Sequence, residues 1–304
     1  MAISSLQSAG LVDVKISKGK SYSDDLTLAF ALDSGYLECM KVMLVSMAKN
    51  GVLCDCPIAI YTDDEDLFED PVIKLVADKK VLISGTKKEI IYSLAKNNVK
   101  RPEKSNWNRG TFLKWSVFEP QLTNRLLFLD VDMLVLNQLD HLLNMYPDKP
   151  LVTSPQFQQS LKEGSVSGNL HNMLNGKFDS KHIKRINSGM MLVNSDFLSN
   201  DFFSEITSFA GASMAIHEQG HLSNYFSKKS NLLGMAPSTY NFQDSYLRLL
   251  TGETYKNILN DIAVLHYAGS DKPWKNENEA LLSYASIALW HEYKGYAQNV
   301  LKYC

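Results

Sequence analysis

An α/β fold, with a central sheet flanked by helices and a helical C-terminal region, is what this sequence predicts, and three observations carry it. From residue 26 onward, apolar runs of strand length alternate with stretches of helical spacing. The first strand, turn and helix come in the order that opens a nucleotide-binding α/β unit. The third observation is Arg125 to Leu136, an apolar run suited to a strand buried on both faces, into which the chain places Asp130 and Asp132. Side chains at i and i+2 on an extended backbone point the same way, so both carboxylates can meet at one point. Two unpaired carboxylates beside an apolar core are costly. Either a divalent metal with oxygen ligands or a Lys or Arg partner must neutralise them, and Arg125 is close in sequence.

In chain order, residues 1–24 are polar and mixed and read as a leader or an added strand. Leu26 to Ala31 is the first strand, closed by the turn residues Asp33, Ser34 and Gly35. A helix over Tyr36 to Lys49 places Leu37, Met40, Met43, Leu44 and Met47 at helical spacing. Pro57 to Thr62 and Val81 to Ile83 are further strands, and residues 86–105 an exposed helix and loop. Phe112 to Phe118 begins an amphipathic helix that Pro120 stops. After the aspartate strand comes Leu151 to Thr153. Residues 156–182 are polar, aperiodic and glycine-containing, a length of connection that points to an acceptor or lid role. Ile186 to Val193 is a strand interrupted at Asn187-Ser188-Gly189, and helices follow near 197–210 and 218–228. Ile262 to Leu265 is the last strand, ending in His266, and 277–301 is helical. Without repeats or a Pro-, Gly- or Ser-rich linker, one main domain is expected.

Composition narrows the function classes. A net charge of −2 gives no reason to expect nucleic acid as a partner. No window approaches the roughly 18 uninterrupted apolar residues of a membrane helix. Met1 to Lys20 lacks the basic-then-apolar order of a signal peptide, so the expected place is the cytoplasm or the periphery of a membrane. Cys39, Cys54, Cys56 and Cys304 do not have the spacing of a disulfide framework, a zinc site or a redox pair, and read as reduced structural thiols.

Five motifs in a fixed order resemble those of family 8 retaining glycosyltransferases, the family of glycogenin and of bacterial lipopolysaccharide galactosyl- and glucosyltransferases. They are Ala31-Leu32-Asp33-Ser34-Gly35-Tyr36, Phe128 to Val135 around Asp130 and Asp132, Ile186 to Asn194, Glu218-Gln219-Gly220, and His266-Tyr267-Ala268-Gly269-Ser270-Asp271-Lys272-Pro273-Trp274. The last, similar to the family's His-x-x-Gly-x-x-Lys-Pro-Trp signature, is the most specific. The resemblance implies a GT-A fold, Rossmann-like with a mixed sheet, over residues 25–276, and a C-terminal helical extension over 277–304. It implies a metal-dependent transfer of glucose or galactose from a UDP-sugar to a glycan, lipid-linked or protein hydroxyl. Asp130, Asp132 and His266 would hold Mn2+, or Mg2+. Asp33 and Tyr36 would bind and stack the uracil beside Ala31, Val131 would face the ribose, and Asn187 and Ser188 the donor sugar. Gly269 and Lys272 would reach the phosphates. Glu218, where the family has Asp, and Gln219 would lie at the anomeric centre, with Lys272 assisting the leaving group. The family's basic residue on the preceding helix falls on Phe112 here, which leaves Arg109 or Lys114 to supply the charge. Two other readings stay open: a nucleotidyltransferase acting on sugar phosphates, and a non-catalytic sugar-nucleotide-binding protein.

Overall fold

The computed structural model describes residue 22 and residues 24–97, 105–157, 166–177, 183–215, 217–248, 250–275 and 283–302. Strands β1 (Thr27–Ala31), β2 (Ile58–Thr62), β3 (Lys79–Leu82) and β4 (Arg125–Leu129) run parallel in the order β3-β2-β1-β4. The sheet continues through β7 (Ile183–Asn194), antiparallel to β4, then β6 (Leu151–Phe157) and β8 (Leu233–Met235). Parallel neighbours need crossovers, and α1 (Leu37–Asn50) supplies the first between β1 and β2. Helices α2 (Pro71–Val76), α3 (Gly85–Asn97) and α4 (Ser105–Leu113) follow in the next connections.

The central strands are buried on both faces, which is why they read as continuous apolar runs. In β4, Leu127 and Leu129 enter the core formed with α1, while Leu126 and Phe128 enter the opposite one. That second core is completed by α3, α7 (Asn200–Ala212) and α8 (Glu218–Lys228), through residues such as Ile91, Phe202 and Phe226. Residues 156–182, expected as a long loop, contain α6 (Val166–Leu174), after the short α5 (Asp140–Leu143); residues 158–165 and 178–182 lie outside the described residues. Of the 1–24 leader, Tyr22 and Asp24 are described; Tyr22 is buried and its hydroxyl donates to Asp140 Oδ1 at 2.7 Å. Helix α9 (Gly252–Asn260) precedes the C-terminal helix α10 (Ala285–Leu301). The latter packs on α1, where Asn50 Nδ2 donates to the Tyr293 hydroxyl at 3.1 Å and Lys294 pairs with Glu38 at 2.9 Å.

Two expectations change. The aspartate run is not one strand: β4 ends at Leu129, and β5 (Met133–Val135) joins a second sheet in the order β5-β10-β9, with β9 (Phe242–Gln243) and β10 (Val264–His266). Asp130 and Asp132 therefore sit where the chain crosses between sheets. The Asp130 N–H still donates to the Gly189 carbonyl of β7 at 2.7 Å, and the Asp132 carbonyl accepts from Tyr267 N at 3.0 Å. The helix expected over Phe112 to Phe118 instead ends at Leu113 and tightens into a 3-10 turn over Lys114–Val117. All seven residues from Phe112 to Phe118 are buried, so the run has no solvent face and amphipathic spacing misplaced the helix. The expected break in β7 is a bulge in its pairing. Register with β6 shifts between Thr153 and Ser154, and Thr153 Oγ1 donates to the Asn187 and Met190 carbonyls at 2.6 and 2.8 Å.

Candidate active site

The carboxyl ends of β1 and β4 open onto one cleft of about 520 Å3, the edge at which open α/β sheets bind ligands. Asp130, Asp132 and His266 each offer a ligand atom there, and the three atoms lie within 4.8 Å of one another. They come from the crossing between sheets and from the end of β10, which β10–β5 pairing brings opposite by setting His266 against Met133.

His266 is held from behind. Its Nδ1 donates to Asn241 Oδ1 at 2.7 Å, and Asn241 is in turn oriented by the Asn187 carbonyl at 3.4 Å. The opposite ring nitrogen, Nε2, faces Asp132 Oδ1 at 3.1 Å. With Nδ1 protonated, a neutral ring turns a lone pair toward a carboxylate oxygen, so either a proton or a metal cation must lie between them. Gly189 makes this placement sterically feasible: a Cβ there would sit 2.6 Å from His266 Cε1 and 2.9 Å from Met133 Cε. The close approach that Gly189 permits is thus to the imidazole. In the following loop Gly269 takes a φ of +99°, which favours glycine.

Arg125 does not neutralise the aspartates. It turns away, donating to Asn194 Oδ1 at 3.1 Å and to the Leu143 carbonyl at 2.5 Å. Two buried ammonium groups do so instead. Lys272 Nζ lies 2.5 Å from Asp132 Oδ2 and also donates to the Tyr267 carbonyl at 2.7 Å. Lys114 Nζ lies 2.8 Å from Asp130 Oδ1 and 3.2 Å from Glu218 Oε1. Of the two candidates for the basic position, Lys114 therefore enters the carboxylate cluster, whereas Arg109 lines the cleft 3.7 Å from Asp63. Phe112 is fully buried against Trp115.

Burial would raise the Asp132 carboxyl, but Lys272 and then His266 outweigh it and hold the group well below the usual range. Burial would lower the Lys114 ammonium; Asp130 and Glu218 outweigh it and push it up. Glu218 is itself pushed up, chiefly by burial and further by Asp130, against the pull of Lys114. Three carboxylates thus face two ammonium groups and an imidazole, leaving room for added positive charge.

The remaining expected residues divide by position. Ala31, Asp33, Tyr36, Val131, Asn187, Gln219 and Gly269 all line the cleft. Asp33 Oδ1 accepts the Gly35 N–H at 3.0 Å, and the Tyr36 ring meets Trp274 edge-on at 5.7 Å. Ser188 is fully buried, and its hydroxyl reaches both Glu218 oxygens at 3.0 and 2.9 Å. Gln219 is oriented at both ends of its amide: Oε1 accepts from Ser188 N at 3.3 Å and Nε2 donates to Gln156 Oε1 at 2.7 Å. Asn241, Gln156, Arg185 and His217 were not found from the sequence. Asn241 precedes a two-residue strand, and Arg185 lies outside every motif although it is two residues from Asn187, on the same side of β7. Arg248 was missed too; it bridges Asp244 and Asp271 at 2.8 Å each and steadies the loop that carries Lys272.

The comparisons with known proteins point one way. The galactosyltransferase LgtC, in a structure with donor and acceptor sugar analogues, is 18% identical, with a TM-score of 0.59 over 88% of this chain and 95% of its own. The glycosyltransferase GlyE of Streptococcus pneumoniae is 16% identical, with a TM-score of 0.60 over 91% of this chain and 63% of its own. At this identity the likeness shows the fold, which is that of GT-A glycosyltransferases. No curated protein sequence matches the chain. The sequence profile described as "Glycosyl transferase family 8" matches residues 27–278, and the chain belongs to that family.

Proposed function

We propose that the chain transfers a hexose, glucose or galactose, from a UDP-sugar to a hydroxyl acceptor with retention at the anomeric carbon and dependence on a divalent metal. One observation carries the proposal: within a family 8 cleft, Asp130, Asp132 and His266 converge with Lys272 beside them. Two carboxylates and an imidazole suit Mn2+, with Mg2+ the alternative, and the 3.1 Å approach of His266 Nε2 to Asp132 Oδ1 calls for a proton or a metal cation between them. When bound, such an ion would offset negative charge on the donor diphosphate.

The protein groups do the rest. Asp33 can accept the uracil N3 proton, and Tyr36 offers its ring to the base. Lys272 is already desolvated, so its charge acts strongly on the departing diphosphate. The bond from sugar C1 to the phosphate oxygen breaks with its electron pair going to UDP. The acceptor oxygen bonds C1 on the same face, and its proton leaves toward the diphosphate. Gln219, a neutral amide with both ends engaged, is poorly suited to be a nucleophile, which favours this front-face route. Lys114 and Ser188 hold Glu218 in place at the edge of the site. No helix among the described residues is long and apolar enough to cross a membrane.

The test is incubation with UDP-glucose and UDP-galactose in Mn2+, with products read by phosphorus NMR. The proposal expects UDP, lost in excess chelator. Pyrophosphate released from UTP and a sugar phosphate would mark a nucleotidyltransferase, and nucleotide binding without turnover a non-catalytic binder.

A further inference from the structure

Beyond Asn187 and Gln219, the cleft continues into a region of different character. Arg185 and Asn187 lie two residues apart on β7, a step of about 7 Å along a strand and enough for one further sugar ring. Arg185 lines the cleft, as do Gln156, His217 and Trp107. Its Nε donates to Gln156 Oε1 at 2.5 Å, and its Nη1 lies 3.0 Å from His217 Nε2. A guanidinium only donates, so His217 Nε2 is the acceptor and the ring N–H is on Nδ1. These contacts fix the guanidinium plane through neutral partners. Among the described residues no carboxylate lies within ion-pair distance of Arg185, and its remaining N–H groups have no partner. The two ammonium groups beside the aspartates are paired, Lys114 with Asp130 and Lys272 with Asp132. Trp107 stands at the rim of the same cleft, 47% exposed, and meets His217 edge-on at 6.1 Å.

Resting on the glycosyltransferase reading above, we infer that this region is an acceptor subsite for an anionic sugar, one bearing a phosphate or carboxylate that Arg185 binds while Trp107 stacks its ring. A fixed guanidinium with N–H groups to spare matches the two oxygens of such a group. Gln156 Oε1 accepts from both Arg185 and Gln219, so the anion contact and the amide at the anomeric centre share one hinge.

The probes are glucose 6-phosphate, glucuronate and glucose, titrated by calorimetry into the protein saturated with UDP and Mn2+. At least one anionic sugar should bind roughly tenfold or more tighter than glucose, the usual yield of a charge-assisted hydrogen bond. Arg185→Gln should erase that preference and Arg185→Lys should restore part of it. Trp107→Ala should weaken the anionic sugars and glucose alike, leaving their ratio unchanged. Glucose binding as well as both anionic sugars would overturn the inference, as would an anion preference that survives Arg185→Gln. A loss of UDP affinity in Arg185→Gln matching the loss of anion affinity would also overturn it, placing Arg185 on the donor. Failure of the wild-type protein to bind UDP or cleave UDP-sugars refutes the glycosyltransferase reading itself and is seen before any acceptor is added.

Discussion

Adding one methyl group at Gly189 should disable the site from a position that carries no chemistry. The new Cβ would stand 2.6 Å from His266 Cε1 and 2.9 Å from Nδ1. Ordinary carbon contacts are about 3.5–4.0 Å, so roughly 1 Å of separation must be found. Two routes are open. If the imidazole retreats, the 2.7 Å bond from Nδ1 to Asn241 is strained and Nε2 moves relative to Asp132. If β7 retreats, the 2.7 Å bond from Asp130 N to the Gly189 carbonyl is strained and the other end of the cluster moves. Either way one proposed metal ligand is displaced. A misplacement of this size costs about 100-fold in turnover, and overpacking costs about 1–3 kcal/mol of stability. The assay is Mn2+ affinity by electron paramagnetic resonance, with UDP-sugar cleavage and a thermal melt on the same sample. Gly211→Ala is the control, because a Cβ there meets nothing within 4 Å and alanine favours the helix α7. Wild-type Mn2+ affinity and turnover in Gly189→Ala would refute the reasoning that His266 is held by shape.

Three other outcomes are expected. Lys272→Ala should lower turnover about 100-fold while UDP affinity falls much less, because its charge matters most as the diphosphate departs; normal turnover with weaker UDP binding would make Lys272 a ground-state clamp. UDP should bind more tightly than GDP in Mn2+ through Asp33 and Tyr36, measured by calorimetry, and equal affinities would remove the uracil assignment. His221, fully buried between Phe112 and Trp115, is pushed down to about 4 by burial. Its unfolded form takes a proton near pH 6.5 and the folded form does not until about pH 4, so stability is lost as pH falls through that window, by up to about 3 kcal/mol. Denaturant melts at pH 7 and pH 5 should show this loss in the wild type and less of it in His221→Asn; an unchanged difference would locate the pH sensitivity elsewhere.

Local chemistry explains which features were legible in the sequence. Strands β1, β2 and β4 announce themselves because burial on both faces demands unbroken apolar residues. Asp130 and Asp132 stood out as carboxylates set in an apolar run, His266 was added only by the resemblance to the family's signature, and the structure brings the three within 4.8 Å of one another. The turn at Lys114–Val117 was not legible, since a segment buried all round carries no periodicity. Nor were the strands β8 and β9, of three and two residues, which exist only because longer strands pair with them. Asn241, Gln156 and Arg185 act through tertiary contacts 25, 63 and 29 residues away, and nothing in their neighbours along the chain signals that role. Arg125 shows the reverse error: near in sequence to the aspartates, it points elsewhere.

The most direct test of the central claim is a titration of Mn2+ into the wild-type protein in the presence of UDP, followed by electron paramagnetic resonance of the free ion, alongside Asp132→Asn and His266→Ala. The account predicts one ion bound per chain, with binding strongly weakened in both variants because each removes a ligand. Absence of binding by the wild type, or binding undiminished in both variants, would contradict a metal centre built from Asp130, Asp132 and His266.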